Sequence, residues 1–237
     1  MKLAMMQPYF FPYLGQFDLL HRVDIWIAHD QLQYIRRGWV NRNRILSLDT
    51  GWQYITVPVK KHHRSTPINQ MEASEEVDWR NKIIKNLSRY KRQAPYYSQV
   101  LDLVNDCFSL PEKNLAKLNI ALFRKTAQRL GIITPVHVFS EMNVDGAEST
   151  SAEEMVVRLC AAVGATEYNN PPGGVDLYHA EFFARHGIKL AFQDFTAMTY
   201  RCGTFDFVPN LSILDVMMWN SPSQIMNHLN LMRMQNE

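Results

Sequence analysis

The stretch Lys2-Leu3-Ala4-Met5-Met6-Gln7-Pro8-Tyr9-Phe10-Phe11-Pro12-Tyr13-Leu14-Gly15-Gln16-Phe17 decides how the chain folds. Its first five residues are a short apolar run, the signature of a buried strand. Pro8 and Pro12 end that run, because proline fixes φ and has no N–H to give a ladder. Between them the chain is a stiff loop crowded with aromatics at 9, 10, 11 and 13. Past Gly15, Phe17 and Leu20 stand at helical spacing. Strand, stiff loop and helix start form the repeating unit of open α/β sheets, and ligands bind where such a strand ends.

The rest of the chain repeats the alternation. Residues 3–6, 24–28, 54–59, 136–139, 166–168 and 189–192 read as strands. Trp79, Ile83, Leu87 and Tyr90 recur at helical spacing, as do Ile120, Phe123, Ala127 and Leu130 before Gly131. Thr150-Ser151-Ala152-Glu153 reads as a capping box ahead of Met155, Leu159 and Val163. The expected fold is therefore α/β, a mostly parallel sheet with flanking helices. Residues 78–130 depart from the pattern with about three helical stretches and no strand. They are expected to be a helical insertion or subdomain within a single α/β domain spanning 1–237. Pro111 and residues 143–149 are the expected exposed joints.

Composition narrows the partners. At 46% hydrophobic and 20% charged residues the chain has enough apolar surface for a core. A net charge of +2 gives no bulk attraction to nucleic acid or membrane, so nucleic acid is disfavoured as a partner. No run is long enough to span a bilayer, and Pro8 and Pro12 break any signal-peptide helix. Cys107, Cys160 and Cys202 have neither metal nor redox spacing. Without a disulfide framework the expected compartment is the reducing cytoplasm.

Several residues stand where ligands bind. Gln7 is an amide at a strand end, poorly placed for packing, and Tyr9 and Tyr13 offer ring faces beside it. Gly15 lets a ligand approach the helix start. His29, Asp30 and Gln33 follow the second strand: His29 and Asp30 are the candidate proton-transfer groups, and Gln33 a binding group. Asp30 also fits the role of a turn cap. Arg36-Arg37-Gly38-Trp39-Val40-Asn41-Arg42-Asn43-Arg44 mixes arginine forks with amides. Arg37 and Arg42 suit phosphate, Asn41 and Asn43 suit sugar hydroxyls, and Trp39 suits stacking. If this segment is extended, Trp39, Asn41 and Asn43 share one face, and Val40, Arg42 and Arg44 the other. Asn169-Asn170-Pro171-Pro172-Gly173-Gly174 leads from a strand to Tyr178 as a second ligand-side turn, and Asn210 opens a late helix. His62 and His63 lack further ligands at a convincing spacing, so no metal is assigned, and no cofactor is indicated. The loops at 7–17, 30–43 and 169–174 all follow strands, so a parallel sheet is expected to bring them to one pocket.

Five segments resemble the WbqC-like proteins, known mostly from gene clusters for bacterial surface polysaccharides such as O-antigen. They are residues 6–15, 37–43, 54–59 (Tyr-Ile-Thr-Val-Pro-Val), 94–97 (Ala-Pro-Tyr-Tyr) and 207–215 (Phe-Val-Pro-Asn-Leu-Ser-Ile-Leu-Asp). The resemblance runs over nearly the whole chain. It implies a transferase working on amino-sugar nucleotides, with acyl or aminoacyl (glycyl) transfer to the sugar amine. The implied partners are a sugar nucleotide and an acyl donor. The alternative is a non-catalytic protein that binds a sugar nucleotide or glycan. In the family pattern an acidic residue often stands where this chain has His29, which argues against a paired-carboxylate metal site.

Overall fold

The computed structural model describes residues 1–47, 50–144 and 151–234. The strands are β1 (Lys2–Met6), β2 (Ile25–Ala28), β3 (Arg42–Ser47), β4 (Gly51–Thr56), β5 (Val136–Val138), β6 (Glu167–Asn170) and β7 (Lys189–Phe192). The helices are α1 (Leu14–Arg22), α2 (Trp79–Leu87), α3 (Tyr97–Phe108), α4 (Leu115–Leu130), α5 (Ala152–Val163), α6 (Ala180–Arg185), α7 (Ile213–Trp219) and α8 (Pro222–Met234). Five strands form one sheet in the order β5-β2-β1-β6-β7. Every neighbouring pair in it is parallel, so the fold is α/β.

Side-chain alternation along β1 assigns the two layers. Ala4 joins α1, α4, α7 and α8 in the larger buried cluster, and Leu3 and Met5 join α5 and α6 in the smaller. Phe123 of α4 stacks on Phe17 of α1 at 4.7 Å and on Trp26 of β2 at 5.2 Å, fixing α1 and α4 on one face. On the other face Tyr168 of β6 lies parallel to Phe183 of α6 at 5.9 Å. Helices α2, α3 and α4 fill 79–130 without a described strand, and their apolar faces enter the same cluster as α1 and β2.

Two local expectations shift. The strand expected at 54–59 runs over Gly51–Thr56 and lies outside the parallel sheet, pairing antiparallel with β3 in the register Arg44↔Tyr54. β3 has no apolar run to announce it, because Arg42, Asn43 and Arg44 occupy its first half. The capping box is framed one residue later than expected. Ser151 Oγ accepts from the Glu154 N–H at 3.2 Å, and Glu154 accepts from the Ser151 N–H at 3.3 Å. Thr150 and residues 145–149 of the expected joint lie outside the described residues.

The strand order places the switch point at β1. From β1 the chain builds outward through β2 and β5, then returns to build β6 and β7 on the opposite side. Beyond the carboxyl ends of β1 and β6 no crossover covers the sheet edge, and a crevice opens there.

Candidate functional site

A cleft of about 660 Å³ occupies that crevice. This is the size of a small-molecule site. Its floor is the strand ends: Met5 and Met6 of β1 with Gln7 just beyond, His29 after β2, and Asn170 at the end of β6. One wall carries Tyr9, Tyr13, Trp39, Asn43, Arg44 and Asn210. The facing wall carries Ala152 and Met155 of α5 with Pro172, Gly173, Gly174, Leu177 and Tyr178. The 7–17 loop, part of the 30–43 segment and the 169–174 turn thus meet at one carboxyl edge.

Side-chain amides hold the aromatic loop in shape. Pro8 and Pro12 remove N–H groups there, leaving carbonyls that need donors. Asn119 of α4 gives its Nδ2 to Pro8 O at 2.8 Å and to Val40 O at 2.6 Å. Asn43 gives its Nδ2 to Phe10 O at 3.1 Å and Phe11 O at 2.9 Å. Ser212 Oγ also donates to Phe11 O, at 2.8 Å. Phe11 sits at φ 38°, a left-handed conformation rare for a non-glycine residue, and these bonds keep it there. Phe10 and Phe11 drive their rings into the core, which leaves Tyr9 and Tyr13 facing the cleft.

Gly15 and Gly174 serve close packing, whereas a Cβ on Gly173 would meet nothing within 4 Å. A Cβ on Gly15 would fall 2.3 Å from the Tyr13 ring, so that ring covers the start of α1 where a ligand was expected to approach. A Cβ on Gly174 would fall 2.8 Å from Asn170 Nδ2.

His29 is only 5% exposed, and its ring leans on Phe139 at 4.6 Å. Neither ring nitrogen has a protein partner. Burial lowers its pKa from 6.5 to about 4, against the opposing pull of Asp30. The imidazole is therefore neutral at pH 7, and it lines the cleft with both nitrogens buried. Asp30 is differently employed. Its carboxylate accepts from the Ser140 N–H at 3.0 Å and the Ser140 hydroxyl at 2.6 Å, pinning the turn after β5, and it does not line the cleft.

Arg44 is the cationic side chain among the described lining residues. Its guanidinium lies over Trp39 at 5.4 Å and Trp52 at 5.2 Å and donates to Asn210 O at 3.3 Å. Its Nε has no partner. A buried network supports the strand that carries it. Tyr90 OH accepts from the Leu46 N–H at 2.8 Å and donates to Asp215 of α7 at 2.6 Å, and Tyr200 OH donates to the same carboxylate at 2.6 Å. Burial lifts the Asp215 pKa from 3.8 to about 6 in spite of the Tyr200 and Tyr90 bonds.

The remaining residues singled out in the sequence lie away from the cleft. Arg37 is exposed at φ 60°, and its carbonyl accepts from Arg42. Arg42 covers the Tyr54 ring at 3.9 Å. Gln33 donates to Arg64 O at 2.7 Å, Asn41 to Val57 O at 2.9 Å and Asn169 to Glu167 at 3.0 Å. Burial pushes the thiols of Cys107 and Cys202 up to about 12 and that of Cys160 up to about 11, so none is a thiolate nucleophile at pH 7. Among the described residues no three His, Cys, Asp or Glu side chains gather as a metal set. No described helix is long and apolar enough to cross a membrane.

The sequence reading did not select Arg44, Leu32, Met155 or Leu177. Arg44 carried a signal, since it shares a strand face with Arg42. Met155 carried none, because at helical spacing it looks like core, and Leu32 and Leu177 are single apolar residues outside the strands and α-helices.

An uncharacterised protein of Mycobacterium tuberculosis is 29% identical over 219 residues, covering 91% of this chain and 92% of that protein. No solved structure matches the chain significantly. The model of the WbqC-like protein family matches residues 7–227. With that match running from the aromatic loop through both walls of the cleft to the last helix, the chain belongs to the WbqC-like protein family.

Proposed function

We propose that this chain is a cytoplasmic transferase of bacterial surface polysaccharide biosynthesis, which binds a nucleotide-linked amino sugar in the cleft and moves an acyl or aminoacyl group, glycyl included, onto the sugar amine. The observation that carries this reading is His29: a neutral imidazole, buried, with both nitrogens unpartnered at the floor of a cleft that also holds Arg44. Arg44 offers paired donors to a phosphate. Trp39, Tyr9 and Tyr13 present ring faces to the base and the sugar. Gln7 and Asn170 supply amides for the sugar hydroxyls and for the developing oxyanion. The amine nitrogen adds to the acyl carbonyl, and a ring nitrogen of His29 takes the amine proton. As the tetrahedral adduct collapses, the bond to the leaving group breaks and His29 returns the proton to it. The amine itself is the nucleophile, so no covalent triad is needed.

Thermal melts with a dTDP-linked amino sugar test the reading. Saturating ligand is expected to raise the melting temperature. A folded protein that shows no shift would remove the support for this function. Asp30 favours a second reading, a binding protein without chemistry, because its commitment to Ser140 leaves His29 as the proton acceptor facing the cleft among the described residues. Full ligand binding in His29→Gln, with no product from wild type across acyl donors, would select that reading.

A further inference from the structure

The two walls of the cleft differ in chemistry as well as in origin. Tyr9 and Tyr13 pack on the larger core cluster, on the α1 face of the sheet. Met155 and Tyr178 pack on the smaller cluster, on the α5 face. The cleft therefore straddles the sheet edge, with one wall from each layer. The first wall has the cation, the indole and two phenols. The second has one phenol, Tyr178, and is otherwise uncharged and mostly apolar, with Met155 and Leu177, and Leu32 joins the lining from the segment after β2. Leu177 is 61% exposed and Leu32 37%, so apolar surface stands open at the mouth.

We propose that the walls hold different co-substrates, and that the aliphatic wall takes the acyl group of a thioester donor as a short uncharged chain rather than as an aminoacyl group with a free ammonium. The proposal rests on the transfer reading above and chooses between the two donor classes it allows. Charge decides the choice. Among the described residues no Asp or Glu lines the cleft. The two carboxylates in the first turn of α5 are held elsewhere: Glu153 accepts from His179 N at 2.6 Å and pairs with its ring at 3.0 Å, and Glu154 caps Ser151. An ammonium moved from water onto this wall would lose hydration and gain no counter-charge from the described residues. An alkyl chain laid on Leu32, Met155 and Leu177 would instead take apolar surface out of water.

His29 lies between the two substrates. Its ring packs on Phe139, a residue of the α5-side cluster, while its strand neighbour Ala28 faces the other way towards α4. The amine from the Arg44 wall and the carbonyl from the aliphatic wall meet at its edge. In this step the C–N bond forms, the C–S bond breaks, and the proton taken by His29 leaves on the thiol. The products are an amide and a free thiol, with no change of oxidation state.

The test uses the N-acetylcysteamine thioesters of butyrate and glycine, titrated by calorimetry into the full chain with and without a dTDP-linked amino sugar. Butyryl thioester is expected to bind about tenfold more tightly than glycyl. Leu177→Asp, at a side chain already in water, is expected to weaken butyryl binding about fivefold and to strengthen glycyl binding. It should leave the nucleotide-dependent melt shift in place, whereas Arg44→Gln should remove that shift and spare the thioester. Glycyl binding as tight as butyryl, or butyryl binding indifferent to Leu177→Asp, would overturn the proposal. So would nucleotide binding with neither thioester bound, and in that case the sugar-nucleotide reading would survive alone. If the folded protein binds butyryl thioester but no nucleotide sugar, the acyl site stands and the sugar-nucleotide reading falls.

Discussion

His29 and Asp215 are buried side chains whose proton affinities have moved in opposite directions. The pKa of His29 drops from 6.5 unfolded to about 4 folded, so the unfolded chain binds more protons in that window. Its contribution to stability is complete above 6.5 and is lost as the pH falls through about 4. Asp215 rises from 3.8 to about 6, so the folded chain binds more protons there. Its contribution is complete below 3.8 and is lost as the pH rises through about 6. Where the windows overlap the two slopes oppose, each limited to about 1.4 kcal/mol per pH unit. Urea melts from pH 4 to 7 are expected to show Asp215→Asn losing stability on acidification more steeply than wild type, and His29→Gln less steeply. Parallel profiles for all three proteins would refute both assignments. Arg44→Gln belongs to the same scale. Under the proposed function it would remove a charge-assisted phosphate contact of about 1.5–3 kcal/mol, and the expected outcome is a loss of at least about tenfold in sugar-nucleotide affinity by calorimetry.

At the scale of elements the aromatic loop is the informative case. Asn119→Ala strips donors from Pro8 O and Val40 O together. It is expected to cost about 1–3 kcal/mol in chemical denaturation and to weaken ligand binding, because the loop carries Tyr9 and Tyr13. Gly15→Ala displaces the Tyr13 ring, which a Cβ would meet at 2.3 Å. The expected result is a folded protein whose ligand-induced melt shift is reduced. An unchanged shift would mean that Tyr13 does not form part of the binding surface. The same elements show what the sequence made legible. β1 and β2 were readable because strands buried on both faces are short apolar runs. β3 was not, since its first half is polar: Asn43 is buried there to feed the carbonyls of Phe10 and Phe11, a need that arises only once two distant segments meet. The strand ends and the 169–174 turn pointed to the cleft by topology alone. Choosing among arginines was beyond the sequence, because Arg37, Arg42 and Arg44 share one composition and differ in what their guanidinium groups cover. Asp30 was ambiguous for a similar reason, as Ser140 lies 110 residues away.

At the scale of the whole molecule the β3–β4 hairpin is tied to the segment that opens α7. Tyr90→Phe would orphan the Leu46 N–H and take one donor from Asp215, both buried. An expected loss of about 1–3 kcal/mol in urea melts checks the link, and a neutral substitution would break it. The contacts of Ser212 reach further. Its hydroxyl seats Phe11 O at 2.8 Å across 201 positions, its N–H meets Arg44 O at 2.9 Å, and Ile213 N–H meets Pro12 O at 2.8 Å. Segments far apart in the chain thus complete one another, and the aromatic loop is finished only once Ser212 has docked. A clipped chain that stops at Phe205 carries all five strands of the parallel sheet and keeps Asn43 and Asn119 on the loop, yet it lacks the bonds from Ser212 and Ile213 and the Asn210 carbonyl that accepts from Arg44. It is expected to give a reduced ligand-dependent melt shift, so full capture of substrate would itself certify that the segment past Phe205 had docked.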